Sequence, residues 1–354
     1  MTEYGDVERP QRASNRKGNA MRQAWRADAR RLGTIGLLLA AVMMAACGTG
    51  NGGGSSSTPP KTKVNVAYAG SLVDLMEHSL GAAFTKATGY PFEGESAGST
   101  ALASQIKSHL ITPDVFISAS KGAYTPLQGD ANGNIVSWYI TFAGDSMVIG
   151  YSSKSPYVAQ FQAAAAGTTP WYQVLETPGL KLGRTDPKLD PKGVSTLYTL
   201  QLAETYYHQP GLENKIIGSI ENTSQIFPEE DLVARLTSGQ LDAGFFYLNE
   251  AKAASIPYIT LPTAIDLSDP AQASAYAKAT YTSSTGTSKG APIIFSVTIP
   301  TTVKNEAGAE AFVNYILGSD GQALLQSNGF LKTSLTFTGD ASKLPASLKQ
   351  YANG

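Results

Sequence analysis

Two stretches of the chain share one pattern, and that pattern restricts the fold. Ala69-Gly70-Ser71 follows the β-like run Val64-Asn65-Val66-Ala67-Tyr68 and opens an apolar series, Leu72, Val73, Leu75, Met76, Leu80 and Phe84, at helical spacing. Ala97-Gly98-Ser99 follows Tyr90–Glu95 and runs into Ala101–Lys107 in the same way. From Lys63 onward strand-like and helix-like runs keep alternating, which predicts α/β layers built on a mainly parallel sheet. Buried strands are expected at Asp114–Ser118, Ser146–Tyr151, Asp242–Tyr247 and Pro292–Val297. Helices are expected at Val194–Tyr207, Glu229–Ser238, Ala309–Leu317 and Gly321–Ser327. The polar, low-complexity stretch Ser268–Gly290 reads as a surface excursion.

The two Gly-Ser turns also suggest chemistry. Serine is a favoured N-cap because its oxygen accepts from free N–H groups of the first turn. Glycine lets a ligand approach the backbone closely. A helix start carries unpaired N–H donors and partial positive charge, which suit an anion. Two such starts facing one cleft would form an anion site without a cationic side chain. The plainer alternative is that both serines only cap their helices.

The bulk numbers remove several classes. A net charge of -1 over 354 residues gives no basic face for nucleic acid. A single cysteine excludes an internal disulfide and a cysteine-rich zinc site. His78, His109 and His208 lack metal-ligand spacing, so no metal site and no cofactor is expected. No Gly-x-Ser-x-Gly elbow is present, and no histidine is tied to Ser71 or Ser99 as an activating base, so an enzyme is not expected.

The N-terminal region reads as an address. Residues 1–20 are polar and aperiodic, an expected disordered or untranslated extension, with translation expected to start at Met21. Arg22, Arg26, Arg30 and Arg31 precede an apolar run, Leu32–Ala46, of signal-peptide length and too short for a comfortable membrane span. It ends Met43-Met44-Ala45-Ala46-Cys47-Gly48, which resembles the lipobox of bacterial lipoproteins, with Met44 where leucine is usual. The resemblance implies a signal peptide at 21–46 and lipid on Cys47; the alternative is a free buried thiol. Residues 47–62, rich in Gly and Ser and ending near Pro59-Pro60, read as a flexible tether.

Taken in order, several pieces resemble the extracytoplasmic solute-binding proteins of ABC importers, and most closely the molybdate/tungstate-binding group. They are Tyr68-Ala69-Gly70-Ser71-Leu72, Ser96-Ala97-Gly98-Ser99, Pro113–Ala119, Met147–Tyr151, Gly183–Gly193, Leu241–Tyr247, and Ala311–Leu317 through Gly321-Gln322 to Gly329-Phe330. The resemblance covers nearly all of residues 63–332. It implies a two-lobed periplasmic-binding-protein fold (type II), each lobe a mostly parallel sheet flanked by helices, joined by crossing strands. Lobe 1 would take 63–145 and 298–354, and lobe 2 would take 146–297. It implies a monomeric, membrane-anchored protein outside the cytoplasm that captures an oxyanion between its lobes and delivers it to an importer permease.

Carried over residue by residue, the resemblance implies a site of Gly70, Ser71 and Ser99 from lobe 1, and of Asp190, Pro191, Lys192 and Tyr247 from lobe 2. In archaeal-type tungstate binders two carboxylates complete a six-coordinate metal oxyanion. Asp190 matches the first, but Phe246 stands where the second, a glutamate, belongs, which implies a tetrahedral oxyanion held by neutral donors such as the Tyr247 hydroxyl. Asp190 in Asp-Pro-Lys-Gly also reads as a helix cap, and Tyr247 also reads as core. Arg184 and Arg235 are further candidate anion ligands. Phosphate stays open because Asp190 would accept its proton; sulfate stays open on the same fold, as does a small organic anion that Phe246 would stack upon.

Overall fold

The computed structural model describes residues 61–353 except Thr285. The strands in chain order are β1 (Val64–Ala69), β2 (Phe92–Ala97), β3 (Val115–Ser118), β4 (Trp138–Gly144), β5 (Met147–Tyr151), β6 (Leu182–Gly183), β7 (Ala243–Tyr247), β8 (Tyr258–Thr260), β9 (Thr280–Ser283), β10 (Gly286–Lys289), β11 (Ile294–Thr298) and β12 (Thr336–Gly339). They form a six-stranded sheet in the order β12-β4-β11-β3-β1-β2, a four-stranded sheet in the order β6-β7-β5-β8, and the hairpin β9-β10.

Both sheets are mixed rather than mostly parallel. β2-β1-β3 and β6-β7 pair in parallel, while β11, β4, β12, β5 and β8 join antiparallel. Parallel neighbours need a crossover, and helices Gly81–Thr88 and Ser99–Lys107 supply it for β1, β2 and β3. β4 and β11 instead carry the chain between the sheets. β4 passes into β5 through Asp145 and Ser146 alone, and strands that cross this way need no helical return. Residue periodicity reports burial but not direction, so the sequence pattern could not separate the two cases.

Every residue of β4, β5 and β7 is buried, as expected of strands covered on both faces. The main apolar core runs through both lobes, from Val66, Phe84 and Phe312 to Ile149, Leu197 and Phe245. A chain of edge-on rings, Tyr247–Phe295 at 6.2 Å and Phe295–Phe330 at 5.1 Å, joins them across the crossing strands. Each fully buried side chain of this kind contributes about 1.5–3 kcal/mol. All described residues lie in one compact unit.

The 268–290 stretch carries the exposed strand β10 on the surface, held down by buried Tyr276 and Tyr281. Among the described residues no helix is long and apolar enough to cross a membrane. The expectations on the leader, on Cys47 and on most of the tether fall on residues 1–60, outside the described residues.

Candidate functional site

The first half of the site comes from the ends of β1 and β2. Ala69 is still extended (φ -53°, ψ 138°), and the chain then turns helical at Gly70–Leu72. Gly98 is extended likewise (φ -55°, ψ 133°), and helix Ser99–Lys107 starts after it. Ala69 and Gly98 therefore hold the N-cap positions; Ser71 sits two residues inside its turn and Ser99 one residue inside its helix, and neither side chain caps. This corrects the capping expectation for both. Ser99 Oγ accepts instead from the Ala119 amide at 3.1 Å, whereas Ser71 Oγ is buried without a partner among the described residues.

The glycines answer a packing demand. A Cβ on Gly70 would lie 2.5 Å from Glu229 Oε2. One on Gly98 would lie 2.5 Å from the Leu189 carbonyl and 3.1 Å from Asp190 Oδ2. Neither glycine has a positive φ, so close approach of the other lobe is what excludes a side chain. Hydrogen bonds cross at the same places. The Ala101 amide donates to the Leu189 carbonyl at 3.1 Å, and Asn249 Nδ2 donates to the Ser71 carbonyl at 2.7 Å.

The second half comes from three helix starts. Asp190 caps helix Pro191–Tyr206: its Oδ1 accepts from the Lys192 amide at 2.6 Å, and Pro191 takes the first helical position, where a missing N–H costs nothing. Capping uses one oxygen only. Asp190 Oδ2 is buried and meets no N–H or hydroxyl donor.

Lys192 is fully buried, with Nζ 2.6 Å from Glu250 Oε1 and 3.1 Å from Glu229 Oε1. Burial alone would drive its ammonium neutral. The facing carboxylates of Glu229, Glu250 and Asp190 outweigh that and raise its pKa. Glu250 Oε2 also accepts from the Tyr247 amide at 2.8 Å, fixing the start of helix Leu248–Ala253. Burial, reinforced by Asp190, pushes the Glu229 carboxyl well above the usual range. Three acids thus surround one lysine.

Tyr247 and Phe246 point to opposite faces of β7, as strand alternation requires. The Tyr247 hydroxyl is buried without a partner among the described residues. Its pKa is raised well above the ordinary value by burial first, then by Asp190, with Glu229 and Glu250 adding to this and the nearby Ser195 side chain acting the other way. Phe246 packs in an apolar cluster with Val148, Leu232, Leu236 and Ile256, and the Lys192 ammonium lies 5.6 Å from its ring centre. Arg184 is buried elsewhere and donates to the Ser219 and Ile220 carbonyls, and Arg235 pairs with Asp231 on the surface.

Gly70, Asp190, Lys192 and Tyr247 are thus brought together around Glu229. Ser71 and Ser99 adjoin them through Gly70 and Gly98, and Pro191 shapes the turn. Sequence reasoning missed Glu229, Glu250 and Asn249. Acidic residues in a first helical turn read as partners of the helix dipole, and nothing local marks which of Glu229, Glu230 and Asp231 turns inward. Among the described residues no group of three or more His, Cys, Asp or Glu side chains is arranged to hold a metal ion.

Comparison with known proteins adds the following. A family model described as bacterial extracellular solute-binding protein matches residues 64–331. The chain is 34% identical over 269 residues, 75% of its own length and 81% of the relative's, to a Haloferax volcanii protein named "Putative ABC transporter molybdenum-binding protein". It is 28% identical over 336 residues, 86% of its length and 93% of the relative's, to the molybdate/tungstate-binding protein WtpA of Thermococcus kodakarensis. Among solved structures, the Azotobacter vinelandii periplasmic molybdate-binding protein matches with a TM-score of 0.53 and 19% identity, over 77% of this chain and all of that one. The sulfate-binding protein SubI of Mycobacterium tuberculosis matches with a TM-score of 0.52 and 15% identity, over 83% of this chain and 91% of that one. At these identities the two structures speak to the fold alone.

Proposed function

The chain belongs to the bacterial extracellular solute-binding protein family, and from that premise we propose that it captures an oxyanion, molybdate or tungstate foremost, between its two lobes and hands it to an ABC importer. It is a binding protein and not an enzyme. The observation that carries the ligand class is a pair of buried hydroxyls at the lobe contact that make no geometric hydrogen bond among the described residues: Ser71 Oγ and the Tyr247 hydroxyl. An unpaired buried polar group costs about 1–3 kcal/mol. A site that holds two hydroxyl donors in that state is prepared for an acceptor-rich guest. Oriented O–H and N–H dipoles in a dry cleft replace the hydration shell of a dianion without a counter-charge. The names of the relatives point to the same ligands.

A second reading rests on Asp190 Oδ2, which lacks a conventional donor. It would accept the proton of a hydrogen phosphate, which sulfate at neutral pH does not carry. Calorimetric titration with molybdate, tungstate, phosphate and sulfate separates the readings. Saturable heat with molybdate or tungstate at lower concentration than with the others is expected. Phosphate binding most tightly would favour the second reading, and heat with none of the four would end both.

The lipobox-like end of the leader supports anchoring through lipid on Cys47, with the binding unit held outside the membrane. Cys47→Ser is expected to leave the membrane fraction or to stall in its unprocessed form. Normal processing and retention would remove the anchor from the account.

A further inference from the structure

Arg184 is completely buried, yet none of the ion pairs among the described residues includes it. Its Nη1 is buried without a partner among them. A desolvated charge without an ion pair is a costly group to keep inside a lobe. What this guanidinium does is hold backbone. Its Nη2 donates to the Ser219 and Ile220 carbonyls at 3.1 and 2.6 Å, and its Nε donates to Gln225 Oε1 at 3.4 Å. The Arg184 amide donates to the Gln225 carbonyl at 2.8 Å, and the Arg184 carbonyl accepts from the Phe227 amide at 3.0 Å.

The segment held in this way has little else to fix it. No residue from Gly218 to Pro228 is buried, and only Ile220 and Phe227 rest partly on the apolar clusters. Polar ties therefore set its course more than apolar packing does. It ends at Pro228, the N-cap of helix Glu229–Ser238, where Glu229 meets Gly70 and Lys192. The chain that leaves Arg184 in the other direction is short and closely held. The Asp186 carbonyl accepts from the Leu189 and Asp190 amides at 3.0 and 2.9 Å. A Cβ on Gly193 would lie 2.7 Å from the Thr185 carbonyl, so this turn is pressed against the helix that Asp190 caps. One residue thus anchors both approaches to the site, the first ending at Asp190 and the second at Glu229.

We propose that Arg184 is a positioning residue of the oxyanion site: it fastens the 219–228 segment to the 184–190 turn and so sets the spacing of the Asp190 and Glu229 helix starts on which lobe 1 closes. The inference rests on the oxyanion reading above. Lobe 1 meets these starts without slack, since neither Gly70 beside Glu229 nor Gly98 beside Leu189 has room for a Cβ. A shift of either start would misplace lobe 2's share of the site while Ser71 and Ser99 stay on their own turns. Arginine suits this task and lysine does not. The planar fork aims Nη2 and Nε in fixed directions, whereas an ammonium is a compact point donor on a flexible stem. Arg184→Lys therefore keeps the charge and loses the geometry.

The test joins calorimetry with a double-mutant cycle. Arg184→Lys is expected to lose about threefold or more in molybdate affinity while still unfolding cooperatively. In the Arg184→Lys background the effect of Asp190→Asn on that affinity is expected to shrink, and the effect of Ser71→Ala to stay the same. A role in stability alone would leave both effects unchanged. A folded Arg184→Lys protein that keeps molybdate affinity within about threefold would overturn the proposal, and so would an Asp190→Asn effect that is additive with it. Should Arg184→Lys fail to fold, Gln225→Leu decides. Gln225 accepts from Arg184 Nε and donates to the Ile216 carbonyl at 3.2 Å, so this change loosens the same segment with Arg184 in place. A loss of about twofold or more in molybdate affinity is expected, and a smaller one would overturn the proposal. If the unmodified protein binds no molybdate at all, the oxyanion reading falls and this inference with it; the other outcomes leave that reading standing.

Discussion

The two halves of the site solve one problem by opposite means. Lobe 1 supplies Gly70, Ser71 and Ser99, neutral groups on two short turns between strand and helix. Lobe 2 supplies Asp190, Lys192, Glu229, Tyr247 and Glu250, a buried charged cluster whose members come from three helix starts up to sixty residues apart. The neutral half needs only backbone geometry, so it is rigid and inexpensive. The charged half holds itself together, since each member is tolerable only while the others are present. On the oxyanion reading proposed above, lobe 1 would supply neutral anion recognition and lobe 2 the charged frame around it.

The largest expected effect lies in lobe 2. Lys192→Met removes the cation that, among the described residues, pairs with both Glu229 and Glu250, and breaking a buried pair from one side costs about 3–5 kcal/mol. Urea unfolding measures it; a loss under about 1 kcal/mol would show that the cluster is not an interdependent unit.

The next effect divides lobe 1 within itself. Ser71→Ala removes a hydroxyl that has no partner among the described residues, so stability should hold. Oxyanion affinity should fall about tenfold or more, since a hydrogen bond to a charged group is worth about 1.5–3 kcal/mol. Ser99→Ala should behave differently, because it strands the Ala119 amide, at a cost of about 1–3 kcal/mol in stability. Identical behaviour of the two variants, in titration and in unfolding, would erase the distinction.

The smallest effect concerns the crossing between the lobes. Asp145 Oδ1 accepts from the amides of Ser146, Leu248 and Asn249, and its other oxygen is buried without a partner among the described residues. Burial raises its pKa well above the ordinary value. The folded protein therefore retains this proton after the unfolded chain has lost it. The stabilisation is complete below the unfolded pKa, near 4, and is lost as pH rises toward the folded one. Asp145→Asn keeps the accepting oxygen and carries no titrating proton. Its melting temperature should gain on the unmodified protein between pH 5 and pH 8, and parallel profiles would contradict the assignment.

The same division governs what the sequence reveals. β1 and β2 end at Ala69 and Ala97, where the Ala-Gly-Ser motif begins, because a strand, its turn and the helix start form one contiguous unit. Helix Glu229–Ser238 was legible from its periodicity, and the C-terminal helices came within a few residues of Glu306–Leu317 and Ser319–Ser327. β4 carried no such mark. Trp138–Gly144 is buried throughout, so it shows neither alternation nor a turn motif, and it is one of the strands that make the sheets mixed. Asp190 and Lys192 entered through resemblance. Glu229 and Glu250 did not, because their meeting at one lysine is set by how three helices dock, and no local pattern encodes that.

The central claim is positional: one oxyanion lies between the two unlike halves. Anomalous diffraction from crystals grown with tungstate tests it directly, because the tungsten atom locates itself. The account predicts a single strong peak within reach of Ser71 Oγ, Asp190 Oδ2 and the Tyr247 hydroxyl. A tungsten bound elsewhere on the molecule, with these three groups still unpartnered, would contradict it.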